Sequence, residues 1–381
     1  MSKKAIINGK VVLTDKVVEK GIVLIEDGVI SAVMENGEVP AGYEVIDASE
    51  KYVCPGLIDI HTHASDRKFF MEDPLECAEY HLSHGTTSVY PALYFAMNTE
   101  QYVAAINQMK EAAASPRGKN IAGVYMEGPY LNPKFGCDKE HCPWKDRVSK
   151  EKYMPVIEAA KGFACVYCVA PEREGILEYV EDVNKLNGGA VFSVAHSEAS
   201  PDQIEALIPY GLKSCTHMTD ATGKYHAWPD VEIVGVGPDE TTMFHDDMYA
   251  ELIVDEFGIH VAPYMIKLIR KIKGDDKIVL ISDAYAADGP VPDGYNGVRD
   301  INFDWTGEIA GSKITLDAAC RNMMKHTGAD IVAVMKMAST NPAALIGVTD
   351  RGQIKEGLRA DLIITDSELN IEKVILKGEL V

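Results

Sequence analysis

No run of the 381-residue chain is apolar for the length that a bilayer-spanning helix needs, so nothing in it reads as a membrane anchor. Basic residues are scarce: 37 Lys and Arg stand against 58 Asp and Glu, a net charge of −21. That balance excludes a broad basic face, and with it a nucleic-acid or anionic-membrane partner, while leaving room for an anionic small molecule held by a few local cations. The start, MSKKAIINGKVVL, lacks the long apolar core of a secretion signal. Eight cysteines in such a chain are expected to be free thiols in a cytoplasmic setting. The one C-x-x-C pair, Cys165 and Cys168, falls in FACVYCVAPE, an apolar strand whose alternation sends the two to opposite faces. Core packing is the expectation there. Cys137, His141 and Cys142 share a loop but lack further ligands for a metal site of their own. Low-complexity linkers and close internal repeats are also missing.

What the chain does have is a two-part rhythm. KAIINGKVVL, GIVLIEDGVISAV and YEVIDASEKYV alternate apolar and polar residues and break at Asn-Gly and Asp-Gly, as strands do. GQIKEGLRADLIITD and NIEKVILKGELV repeat that character at the other end. Neither end carries a core by itself, so residues 1–53 and 345–381 are expected to pack together as one small β-sandwich, with residues 54–344 inserted between them. The insert contains eight short apolar runs: GLIDIH (56–61), TTSVYPAL (86–93), IAGVYME (121–127), FACVYCVA (163–170), AVFSVAH (190–196), GLKSCTH (211–217), AELIVD (250–255) and KIVLISD (277–283). Helix-like segments such as TEQYVAAINQMKEAAA and GILEYVEDVNKL separate most of them, and Ser200-Pro201 with Asp202 is a good helix start. Eight strand–helix units at roughly 20- to 40-residue spacing predict a (β/α)8 barrel.

Catalytic groups of such barrels gather at the C-terminal ends of the strands. Here those ends carry His61 and His63 on strand 1, Glu127 on strand 3, His196 on strand 5, His217 on strand 6 and Asp283 on strand 8. In GLIDIHTHASD the alternation of a strand aims His61 and His63 at one point beyond an apolar core. One polar residue entering a loop is ordinary; four imidazoles and two carboxylates at equivalent places form a constellation. Imidazole nitrogen and carboxylate oxygen suit Zn²⁺ and related divalent ions. Such an ion lowers the pKa of its water and polarises a carbonyl, which leaves Asp283 available to take and return a proton. The alternative for Asp283 is an N-cap of a following helix, since Ser-Asp-Ala fits that pattern.

These residues resemble the amidohydrolase superfamily and, within it, the deacetylases of N-acetylglucosamine-6-phosphate. The resemblance covers nearly the whole chain: YVCPGLIDIHTH, YMEGPYLN, VAHSEA, CTHMTDAT, LIVDEFGIHV, LISDAYAADG, STNPAALIG and GQIKEGLRADLI. MEGPYLNP is its most specific segment, because that group takes a metal-ligating Glu from strand 3 where other branches use a carboxylated Lys on strand 4, and strand 4 here has no Lys. The resemblance implies Glu127, His196 and His217 as principal metal ligands. It adds His61 and His63 for a second position in members holding two ions, and makes Asp283 the general base and acid, itself in reach of the metal. One or two ions are implied, Zn²⁺ foremost, with Fe²⁺, Mn²⁺, Co²⁺ or Ni²⁺ as alternatives. His260 matches a substrate-contacting histidine, and a homodimer is implied.

Three departures fall at the substrate end. The family has Phe-Asn-Ala-Met after the strand-6 histidine, where this chain has Thr219-Asp220-Ala221-Thr222. It carries a phosphate-clamping Arg downstream, where this chain has GKYHAWPDVEIVG, leaving Lys224, His226 or Trp228 to substitute. It has Gly-Ala-His after the strand-3 motif, where this chain has Gly136-Cys137-Asp138 with His141 a few residues on. A carboxylate at 220 repels phosphate. Lys134, Arg67 and Lys224 are the cations that would serve an anion, and Tyr225 and Trp228 would stack on a ring. The expected function is metal-dependent hydrolysis of the N-acetyl amide of an amino sugar, N-acetylglucosamine-6-phosphate or a close relative, releasing acetate and the amine. The alternatives are a related amidohydrolase for a different N-acyl or cyclic amide, with or without a phosphate, and a barrel that has lost its chemistry.

Overall fold

The computed structural model describes residues 2–136, 141–226, 234–287 and 289–381. The N-terminal strands are β1 (Lys3–Val12), β2 (Val17–Glu26), β3 (Val29–Met34), β4 (Glu44–Asp47) and β5 (Tyr52–Pro55). They join the C-terminal β16 (Leu362–Thr365), β17 (Ile371–Leu376) and β18 (Glu379–Leu380) in one eight-stranded, mostly antiparallel sheet. The first half of β1 pairs with β4 and the second half with β5. Register shifts on either side of Gly9, with Asn8 at φ 58°, switch the alternation between the halves. Ile6 and Val11, of opposite parity, therefore face the same core with Val23, Val53, Leu362 and Ile375. A Cβ at position 9 would meet Val53 Cγ2 at 2.5 Å, which is why glycine occupies the bend.

Between these ends lies a parallel barrel of eight strands in chain order: β6 (Leu57–Thr62), β7 (Thr86–Tyr94), β8 (Val124–Glu127), β9 (Ala164–Val169), β10 (Phe192–Val194), β11 (Leu212–Cys215), β12 (Tyr249–Ile253) and β13 (Ile278–Ile281). All pairings along this path are parallel. Helices such as Thr99–Ala114, capped by Asn98, and Ile176–Asn187 lie between successive strands and bury their apolar faces. The seam between β13 and β6 is closed just past the strand ends. Asp283 N–H donates to His61 C=O and His63 N–H donates to Ala284 C=O, both at 2.9 Å.

A short hairpin, β14 (Ile301–Phe303) and β15 (Ile309–Ser312), follows the barrel. The sequence reading did not anticipate it. Asp283 does not cap a helix: the chain continues extended, Ala284 bridging Ser312 beside that hairpin. Cys165 and Cys168 lie on β9 as free thiols, Cys168 fully buried. No helix among the described residues is long and apolar enough to cross a membrane.

Candidate active site

All six strand-end residues converge at one mouth of the barrel. Glu127 is at the centre, and its two oxygens face different pairs of histidines. Oε1 lies 2.9 Å from His196 Nε2 and 3.3 Å from His217 Nε2. Oε2 lies 3.3 Å from His63 Nε2 and 3.9 Å from His61 Nε2. Asp283 completes the ring, its Oδ1 3.2 Å from His63 Nε2 and 3.6 Å from His61 Nε2. All six side chains are buried. Two groups of donor atoms, Glu127 with His196 and His217, and Glu127 with His61 and His63, each lie within 4.8 Å of one another.

The backbone that presents these groups is strained in a consistent way. His196, His217 and Asp283 each follow their strand by two residues and have φ of 43°, 31° and 45°. Left-handed backbone at a residue with a Cβ costs on the order of 1–2 kcal/mol and persists where surrounding structure enforces it. Here the enforcing contacts are visible. His196 O accepts from Asn132 N–H, Asp220 N–H donates to His217 O, and Asp283 is tied into the barrel seam.

Hydrogen bonds also set the tautomers. The Nδ1–H groups of His63, His196 and His217 donate to the carbonyls of Ala92, Phe135 and Asp220 at 3.1, 2.8 and 3.2 Å. In the neutral rings all three Nε2 lone pairs then point at carboxylate oxygens, and those of His196 and His217 also point at each other across 3.2 Å. Both nitrogens of His61 are buried with no hydrogen-bond partner. Lone pairs packed against lone pairs are repulsive unless a cation lies between them, so the donor set fits a divalent metal ion.

The electrostatics agree. Burial pushes the His61 pKa down to about 4. At His63 and His217 burial acts the same way, but hydrogen bonds from His63 to Asp283 and Glu127, and from His217 to Glu127 with the charge of Asp283 nearby, override it and lift both pKa values to about 10. Burial also works against charge on Glu127 and Asp283, yet the surrounding imidazoles hold both well below the usual carboxylate range. The acids thus stay anionic and draw positive charge, from a proton or an ion, onto His63 and His217, while His61 stays a neutral imidazole with a free lone pair.

His260 is buried beyond β12, with its Nε2 lacking any partner. Asp255 fixes the ring: its carboxylate accepts from His260 Nδ1 at 3.3 Å and from the backbone N–H groups of Phe257, Ile259 and His260. Thr219 Oγ1 donates to His260 O at 3.4 Å, which sets His260 against the turn that follows His217. Ala221 lies beside Gly136, where an added Cβ would be 2.8 Å from the His196 ring and 3.9 Å from Ala221 Cβ. Asp220 is half-buried, whereas Lys224, His226 and His141 are exposed. Trp228 and Asp138 lie outside the described residues.

Several functional supports escaped the sequence reading. Glu251, fully buried on β12, accepts from Tyr125 Oη at 2.9 Å, and Thr216 Oγ1 bridges Tyr125 and Ser193 at 2.7 and 2.6 Å. This polar plug lies under the converging side chains, with the Tyr125 ring 4.5 Å from that of His61. Asp59, fully buried two residues before His61 and on the same strand face, has its pKa pushed up to about 7 by burial. The available signal was parity: Asp59 precedes His61, and Tyr125 precedes Glu127, by two residues on a strand.

Comparison with known proteins follows the same lines. The sequence model of the amidohydrolase family matches residues 52–381. The chain is 26% identical to N-acetylglucosamine-6-phosphate deacetylase of Bacillus subtilis, covering 97% of this chain and 95% of that protein. It is 29% identical to N-acetylgalactosamine-6-phosphate deacetylase of Escherichia coli O157:H7, covering 93% of each. The crystal structure of N-acetylglucosamine-6-phosphate deacetylase from Pasteurella multocida superposes with a TM-score of 0.85 at 25% identity, covering 100% of this chain and 99% of that one.

Proposed function

The chain belongs to the amidohydrolase family, and we propose that it removes the acetyl group of an N-acetyl amino sugar of the kind its relatives are named for, N-acetylglucosamine-6-phosphate or a close relative. The observation that carries this reading is the convergence of four imidazoles on the two oxygens of Glu127, with Asp283 3.2 Å from one of them.

In this reading Glu127, His196 and His217 would hold a divalent ion, and His61 and His63 offer a second position. The mixed nitrogen and oxygen donors suit Zn²⁺ first. When bound, the ion polarises the amide carbonyl and lowers the pKa of a water. The chain's own groups do the rest. Asp283 Oδ1 takes the proton of the attacking water and returns it to the departing nitrogen, so that acetate and a free amine leave. His63, held by Ala92, orients that carboxylate. His260 presents Nε2 to the amide carbonyl or a sugar hydroxyl, with Asp255 keeping the ring in place. A cytoplasmic homodimer belongs to the same reading; Phe244, Phe257 and Tyr264 supply exposed apolar surface for a partner copy.

The test is acetate release from N-acetylglucosamine, N-acetylgalactosamine and their 6-phosphates by the protein loaded with Zn²⁺, alongside elemental analysis. Bound zinc together with turnover of any of these sugars is the expected result. An ion-loaded chain that releases acetate from none of them overturns the reading.

A further inference from the structure

The relatives are named for phosphorylated sugars, yet the mouth of this site is poorly suited to a phosphate dianion. The three cations that the sequence offers for an anion are each engaged with a carboxylate. Lys224 Nζ lies 2.6 Å from Glu240 Oε1 and 3.3 Å from Asp239 Oδ2. Lys134 Nζ lies 2.5 Å from Glu198 Oε2. Arg67 Nε contacts its neighbour Asp66 at 3.2 Å, with its side chain 79% exposed.

Asp220 adds a negative charge to that mouth and cannot easily move away. The turn from His217 to Thr222 is pinned at several points. His217 Nδ1–H donates to Asp220 O, Asp239 accepts from Thr219 N–H at 3.0 Å and from Thr222 Oγ1 at 2.9 Å, and Gly223 N–H donates to Ser197 O at 2.9 Å. Thr219 and Ala221, on either side of Asp220, have φ of 78° and 51°. Among the described residues the Asp220 carboxylate has no hydrogen-bond or ion-pair partner. Its turn nevertheless touches both histidines: Asp220 O accepts from His217 Nδ1–H at 3.2 Å, and Thr219 Oγ1 donates to His260 O at 3.4 Å.

Aromatic rings flank two of the histidines. Phe95 packs 5.1 Å from His196, and Tyr94 and Tyr285 lie 6.1 and 5.9 Å from His63. Aromatic rings at the histidines, together with an unpaired carboxylate on the turn that follows His217, suit a neutral polyhydroxylated ring: apolar C–H faces stack, and hydroxyls donate to the carboxylate. A phosphate carries roughly −1.5 to −2 charges near neutral pH and offers only acceptors, so the same carboxylate repels it.

Building on the deacetylase reading above, we propose that this chain acts on an N-acetyl amino sugar without a phosphate ester, and that Asp220 sets the choice by accepting hydrogen bonds from sugar hydroxyls.

The experiment compares kcat/KM of the zinc-loaded full chain for N-acetylglucosamine and N-acetylgalactosamine with that for their 6-phosphates, and repeats it with Asp220→Asn and Asp220→Ser. The native chain is expected to favour an unphosphorylated sugar by at least about tenfold. Raising the ionic strength should speed only the phosphorylated substrates, by screening the repulsion. Both variants, checked for native zinc content, should narrow the preference by raising the rate with the 6-phosphates. A native chain that prefers a 6-phosphate overturns this inference and leaves the deacetylase reading standing. So does a preference for unphosphorylated sugar that neither variant narrows, because it removes Asp220 from the role. Release of acetate from none of the four sugars removes the deacetylase reading itself.

Discussion

The Nε2 atoms of His196 and His217 lie 3.2 Å apart, both against Oε1 of Glu127, while each ring donates its Nδ1–H to a backbone carbonyl. Two imidazoles anchored from behind in this way are prepared for a shared cation before it arrives. Removing the carboxylate charge that draws them together should release the ion. Glu127→Gln is expected to become substoichiometric in zinc and to lose activity by about 100-fold or more. Elemental analysis of the purified variant checks the first effect and acetate release the second.

Asp283→Asn should behave differently. The amide keeps the size of the carboxyl, and Asn tolerates the left-handed backbone of this position at the barrel seam, while Glu127, His196 and His217 stay intact. Zinc content should therefore remain near the native value while kcat falls by about 10²- to 10⁴-fold, the range for loss of a general acid–base group. Unchanged hydrolysis in this variant would remove Asp283 from the chemistry.

Gly136 is a steric test of the His196 position. Its φ is +68°, and an added Cβ would lie 2.8 Å from the imidazole that Phe135 O orients. Gly136→Ala is expected to weaken zinc binding by roughly 10- to 100-fold with little change in thermal stability, because the loop is at the surface. A chelator competition titration measures this directly.

Asp255 links the site to pH. Burial opposes its charge, but His260 and backbone N–H groups lower its pKa to about 2, against an ordinary value near 3.9. A depressed folded-state pKa contributes stability above the unfolded pKa and loses it as pH falls through the folded one. That contribution should be present above about pH 4 and vanish toward pH 2, amounting to roughly 2–3 kcal/mol. Denaturant titrations of native chain and Asp255→Asn should differ most at pH 7 and converge near pH 2. The variant should also lower kcat, since His260 loses its anchor.

The polar plug beneath the ligands predicts a stability effect of its own. Tyr125→Phe strips Glu251 Oε2 and Thr216 Oγ1 of a shared partner inside the barrel. A buried acceptor left unpaired costs about 1–3 kcal/mol. The double variant Tyr125→Phe with Glu251→Gln should recover part of that loss, a coupling that a thermodynamic cycle of the two measures.

Much of this architecture is written in local patterns. The eight apolar runs match β6 to β13 because parallel strands buried on both faces leave near-continuous hydrophobic stretches. All six strand-end residues meet because strand ends share one rim. Other features have no local signature. The β14–β15 hairpin pairs strands of three and four residues, too short for alternation to register. The left-handed backbone of His196, His217 and Asp283 falls on residues that ordinarily avoid it, so no glycine marks the kinks. Glu251 reads like the solvent-facing residue of AELIVD; only closure of the barrel turns it inward. Asp255 shows its purpose only when the loop after it folds back onto its carboxylate.

The seam bonds from Asp283 to His61 and from His63 to Ala284 make first and last strands depend on each other at the rim. Enclosure of the cylinder and alignment of His61 and His63 with Asp283 are thus a single event, and neither is reached by a chain still lacking its eighth strand. During synthesis the protein would remain unable to complete the second ion position, the one offered by His61 and His63, until that strand docks. In the finished molecule, fraying there would let an ion at that position go before the rest of the structure unravels. The bound metal would then serve as a latch, and its rate of escape would report how often the cylinder opens.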